Sequence, residues 1–125
     1  MPIDYRIDAA RKVLIAEGHG QIRDEDLLDY ARRMFADSGR HLAAHELVDL
    51  TRVSDDSEIT ADGIRELAEY WRGRYDLITG GRLAIVANSE VAYGLARMYQ
   101  LMRDDGPDRI RVFRSLDEAW EWLES

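Results

Sequence analysis

Apolar residues recur along this chain with two periods, and stretches of the two alternate. Tyr5 and Ile7 alternate with polar neighbours, as in an edge strand. Residues 8–11 can turn. Residues 12–16 contain the unbroken run Val13-Leu14-Ile15-Ala16, which predicts a strand buried on both faces. The two strands are close enough in sequence to form an antiparallel hairpin. Gly18-His19-Gly20 is expected to break the second strand, with His19 as a turn residue. Asp24 is the expected N-cap of a first helix, with Glu25 and Asp26 at its positive end. Leu27, Leu28, Ala31, Met34 and Phe35 fall on one face of that helix, and Gly39 ends it.

The chain is organised around residues 46–63. A short apolar strand, Leu47-Val48-Asp49-Leu50, runs into a polar, acid-rich loop and then into a helix start capped by Thr60. In α/β folds the C-terminal end of a strand and the following helix N-terminus commonly form the working surface. Ile64, Leu67, Ala68 and Trp71 make the second helix's stripe, extended by Tyr75. Gly80-Gly81 is a break, and residues 82–87 predict another buried strand. Asn88-Ser89 offers the next cap. The third helix carries Val91, Leu95, Met98, Tyr99 and Met102 and ends near Asp105-Gly106-Pro107. A last strand, residues 109–114, is apolar at Ile110, Val112 and Phe113. Ser115 and Glu118 have capping-box spacing, and Leu116, Ala119, Trp120 and Leu123 face inward on the final helix.

The element order is therefore ββαβαβαβα. Helices alternating with buried strands predict an α/β fold with a mostly parallel five-stranded sheet and an antiparallel edge strand from the N-terminal hairpin. Crossovers of this kind are right-handed. At 125 residues one domain spanning 1–125 is the natural reading.

Composition narrows the function classes. There is no cysteine, so disulfides, thiolate nucleophiles and cysteine metal sites are excluded. A net charge of −8 repels phosphate backbones and argues against nucleic acid as a partner. Lys12 is the only lysine among 17 basic residues, which reads as the bias of a GC-rich genome. The opening MPIDYRIDAARK has no apolar signal segment, and the longest apolar run, residues 83–87, is too short to span a bilayer. The expectation is a cytoplasmic protein with no integral membrane association.

Candidate chemistry is sparse. Asp49 lies in an apolar strand and invites an acid–base role. No His or Lys follows to complete a set, so acceptance of nearby backbone N–H groups is the better reading. Asp55, Asp56 and Glu58, beside Asp49 and Asp62, form an acidic rim without EF-hand spacing. His41 and His45 lie across a helix-to-strand connection, where their i,i+4 spacing does not make a zinc pair. Ser89 and Ser115 are caps rather than nucleophiles, and Gly18-x-Gly20 lacks the third glycine of a dinucleotide loop. No catalytic residue, metal ligand or cofactor site is expected. The third helix is apolar over more than one face, with Tyr93, Ala96 and Leu101 off the main stripe. Gly94 within it implies close packing.

Two passages carry a family resemblance. Val48-Asp49-Leu50-Thr51-Arg52-Val53, followed by Ile59-Thr60-Ala61-Asp62-Gly63-Ile64, resembles the core strand and helix start of STAS domains, the fold of anti-sigma-factor antagonists and sulfate-transporter tails. The ending Val112-Phe113-Arg114-Ser115-Leu116-Asp117-Glu118-Ala119, with Trp122-Leu123, is similar to small stand-alone bacterial SpoIIAA-like proteins of the STAS/SEC14-like group. The resemblance implies a non-catalytic module acting by protein–protein contact, with a homodimer as one arrangement. In the regulators a partner kinase phosphorylates a serine at this helix start. Ala61 and Asp62 occupy the matching positions here, so the phosphoacceptor is absent. The expected partner or ligand surface comprises Asp49, Thr51, Ser54, Ser57, Thr60 and Asp62 on one side and Tyr93, Arg97, Met98, Tyr99 and Met102 on the third helix. The alternative is a carrier or sensor of a small apolar or lipid-like ligand held near Tyr93, Met98 and Met102.

Overall fold

The computed structural model describes residues 2–72, 74, 81–103 and 109–125. Its strands are β1 (Ile3–Asp8), β2 (Val13–Gly20), β3 (His45–Val53), β4 (Leu83–Val86) and β5 (Ile110–Phe113). Its helices are α1 (Asp24–Ala36), α2 (Ala61–Trp71), α3 (Glu90–Arg103) and α4 (Leu116–Leu123), with a 3-10 turn at Arg40–Leu42. The sheet order is β1-β2-β3-β4-β5, with β1 antiparallel to β2 and all other pairs parallel.

Register explains how the two faces are used. Leu14, Glu46, Leu83 and Ile110 align across the sheet, and Ala16, Val48, Ile85 and Val112 form the next row. These rows face α1, α2 and α3, whose Ala31, Met34, Ile64, Ala68, Trp71, Ala96 and Tyr99 complete one core layer. The intervening residues Val13, Ile15, Leu47, Ala84 and Val86 face the other way and pack on Ala119 and Leu123 of α4. Period-two alternation thus puts three helices over one face and one over the other.

Several local expectations change. β2 does not stop at Gly18. It continues to Gly20 with a register shift between Glu17 and His19, so His19 is a strand residue. Gly18 is buried, and a side chain there would meet Ile22 at 2.8 Å and Val53 at 2.9 Å. Close packing, not a turn, requires that glycine. Gly20, with φ +66, ends the strand. The N-cap of α1 is Arg23, whose N–H is accepted by the Asp26 carboxylate at 2.9 Å. Asp24 is the first helical residue. Helix α1 ends at Ala36, and Gly39 instead opens the 3-10 turn.

On α3 the inward face is rotated from the expected stripe. Ala96, Tyr99 and Arg103 are buried, whereas Val91 is 62% exposed. Gly94 is exposed, and nothing lies within 4 Å of where its Cβ would be, so close packing does not account for it. Ser89 caps the helix, its hydroxyl accepting the Ala92 N–H at 3.1 Å. Ser115 caps α4 in the same way through Glu118. On α4, Leu116 is 39% exposed rather than inward, and Trp120 is half-buried with Arg11 stacked 3.6 Å from its ring centre. Tyr75, Gly80 and the Asp105-Gly106-Pro107 end of the third helix lie outside the described residues.

Candidate ligand cavity and the surface around its mouth

The layer under α1, α2 and α3 is not completely filled. It leaves an apolar cavity of about 100 Å³ that is partly open to the surface. Strand β3 supplies Glu46, Val48, Leu50 and Val53 along one wall, and β4 adds Leu83 and Ile85. Helices contribute Leu27 and Tyr30 from α1, Ile64, Leu67 and Trp71 from α2, and Ala92, Leu95, Ala96 and Tyr99 from α3. Ser54, Asp55, Ser57 and Ser89 line its rim at the C-terminal ends of β3 and β4. Asp55 and Val91 are both lining and exposed, so the cavity reaches the surface there. This is the end of the sheet where α/β folds place ligands.

One polar cluster sits at the opposite, N-terminal end of β3. Glu46 is only 6% exposed, although it stands in a row of apolar residues. The Tyr30 hydroxyl donates to its Oε2 at 2.6 Å. Buried Arg103 donates to the Tyr99 hydroxyl at 2.5 Å, and its charge acts on Glu46. Burial pushes the Glu46 carboxyl above its usual value, against the lowering effects of the Tyr30 hydrogen bond and the Arg103 charge. Burial also holds the Tyr30 hydroxyl well above the ordinary phenol value, with the neighbouring Glu46 adding to the shift.

The residues expected to form a surface separate into groups. Ser54 and Ser57 lie at the cavity rim and are tied into the loop: Ser57 Oγ accepts the Ile22 N–H at 2.9 Å and donates to the Ser54 carbonyl at 2.8 Å. Asp49 faces away from the cavity, in phase with Leu47. Its Oδ1 accepts both the Thr51 N–H, at 2.9 Å, and the Thr51 hydroxyl, at 2.7 Å. Asp62 is exposed and pairs with Arg65 at 2.6 Å. Glu58 approaches Arg23 at 3.8 Å. Among the described residues, no group of three His, Cys, Asp or Glu side chains could hold a metal.

On α3, Tyr99 is buried and lines the cavity, so it is not a surface tyrosine. Tyr93 is half-buried beneath the Arg114 guanidinium, 4.0 Å from its ring centre. Arg97 is exposed and bonds Gln100. Met98 and Met102 pack against the core layer but do not line the cavity.

Thr60 has a partner the sequence did not reveal. The Asp24 carboxylate reaches from the start of α1 and accepts the Thr60 N–H at 2.9 Å and its hydroxyl at 2.6 Å. Thr60 Oγ1 in turn accepts the Gly63 N–H at 3.0 Å, capping α2. A side chain at position 63 would collide with Asp24, so Gly63 makes the room for this contact.

No family model and no curated protein matches the sequence. Solved structures do match its architecture. An uncharacterised DUF3478-family protein of SpoIIAA-like fold from Shewanella loihica aligns at 16% identity and TM-score 0.63, over 97% of this chain and 93% of that one. The anti-sigma factor antagonist SpoIIAA in its unphosphorylated form aligns at 10% identity and TM-score 0.61, over 98% of each chain. The fold is SpoIIAA-like. A Thermotoga maritima protein proposed to be an anti-sigma factor antagonist aligns on the same SpoIIAA-like frame at 16% identity and TM-score 0.62, over 98% of this chain and 95% of that one. Within this SpoIIAA-like domain, Ala61 and Asp62 open α2, and the Asp24 carboxylate closes over the residue before them. No described helix is long and apolar enough to cross a membrane.

Tyr30, Glu46 and Arg103 were not among the expected site residues, yet each carried a signal. Tyr30 is in helical phase with Leu27, Ala31 and Met34. Glu46 alternates in phase with Val48 and Leu50, and Arg103 follows Ala96 and Tyr99 at helical spacing. A polar residue in phase with an apolar face predicts a buried polar group.

Proposed function

We propose that this protein is a non-enzymatic small-ligand module, a carrier or sensor whose ligand occupies the cavity beneath α1, α2 and α3. The observation that carries this reading is the apolar cavity, with the exposed residues Asp55 and Val91 in its lining. Dry apolar cavities of about 150 Å³ take up benzene-sized molecules. A small apolar body in the space would likewise cover apolar wall that the unliganded protein leaves uncovered.

Toluene is a suitable probe in a thermal unfolding experiment. At ten times its dissociation constant it should stabilise the protein by about 1.4 kcal/mol, a shift of about 5 °C for a chain of this length. Ala92→Leu, at the mouth, should leave the unliganded protein folded and remove the shift. An unchanged melting temperature at saturating toluene would sink the reading.

A second reading is contact with a protein partner through residues 54–62, α2 and α3. Its support is the SpoIIAA-like fold, shared with proteins described as anti-sigma factor antagonists, and the exposed apolar residues Val91 and Leu101, 62% and 69% exposed on α3. Native mass spectrometry of protein from its own host separates the two readings. Added mass of a few hundred daltons or less favours the ligand; a homodimer or a second polypeptide without it favours the partner.

A further inference from the structure

The cavity has apolar walls and one buried acid. Glu46 lines it, is 94% buried by its 6% exposure, and offers two carboxyl oxygens. Tyr30 occupies Oε2. Among the described residues Oε1 receives no hydrogen bond. A buried polar atom without a partner is costly, and the cost is relieved by whatever ligand group reaches it.

We propose that Glu46 recognises the polar end of the ligand, and that the ligand class is a small neutral apolar molecule ending in a single hydroxyl. This rests on the cavity being a ligand site. The charge balance selects against ionic ends. The Arg103 charge already acts on Glu46 and repels an ammonium group. A ligand carboxylate would face Glu46 itself and add a second buried anion. A purely apolar ligand leaves Oε1 unpaired. A hydroxyl meets Glu46 in either protonation state, because it donates to a carboxylate and accepts from a carboxylic acid. The remaining wall on β3, Val48 and Leu50, stands in phase with Glu46, so the body of the ligand extends along β3 toward the mouth.

Phenol and toluene have nearly the same shape and differ in this one group. In a dry apolar site toluene binds more tightly. Here phenol should bind at least about tenfold more tightly than toluene, the worth of one hydrogen bond to a buried acceptor. Dissociation constants come from titrations followed by methyl NMR shifts, with benzylamine and benzoate as the ionic counterparts. The double variant Tyr30→Phe/Glu46→Leu, which removes both polar partners together, should reverse the order in favour of toluene. If that variant does not fold, the order in the unmodified protein decides alone. Toluene binding more tightly than phenol overturns the role of Glu46 and leaves the cavity reading standing. Tighter binding of benzylamine or benzoate overturns the neutral ligand class. No binding by any of the four overturns the cavity reading and this inference with it.

Discussion

Glu46 shows how one side chain links pH to stability. Its carboxyl is raised by burial, so the native state holds a proton that the unfolded chain releases above about pH 4.3. The contribution is fully present below the unfolded value and is lost as pH rises through the folded one. Glu46→Gln removes the titration and keeps an oxygen for Tyr30 to donate to. Urea unfolding of both proteins between pH 4 and 8 should give a stability difference that moves in favour of Glu46→Gln as pH rises, then levels. A difference independent of pH would show that the carboxyl titrates alike in both states. The same residue marks how far sequence reasoning reached. An acid in phase with Val48 and Leu50 was visible, but the Tyr30 hydroxyl that faces it comes from 16 residues away on another element. Asp24 was legible as an acid at a helix start. Which helix it serves was not, because its partner Thr60 is 36 residues away.

At the scale of elements, period two and period 3.6 located every described strand and α-helix, but not the 3-10 turn at Arg40–Leu42. The boundaries moved where packing outweighed local propensity. β2 runs through two glycines because Gly18 must admit Ile22 and Val53 while the strand keeps its pairing with β3. The inward face of helix α3 is turned by about one position, since Ala96 and Arg103 rather than Leu95 and Met102 are fully buried. Gly94 is the element's weak point. It is exposed, helical and free of neighbours, so it contributes only flexibility to the unfolded chain. Gly94→Ala should stabilise the protein by about 0.5–1 kcal/mol in chemical denaturation, with ligand affinity unchanged. A destabilised variant would mean that the glycine serves a contact absent from the isolated chain.

At the scale of the whole molecule, the proposed ligand site depends on the layer that three helices share. Toluene protection should therefore spread across α1, α2 and α3 together in hydrogen exchange, since all three line the cavity. Protection confined to one helix would point to a surface contact instead. The sequence by itself determined the element order and the mixed sheet, because those follow from periodicities written within a few residues, and its resemblance to STAS domains pointed to the SpoIIAA-like architecture. Only the tertiary structure decided that Glu46, Tyr30, Arg103 and Tyr99 meet in one buried cluster, that Asp24 closes α2, and that the helix layer leaves an apolar space. Those features depend on register, on helix rotation and on how completely distant side chains fill a volume, and no local pattern encodes them.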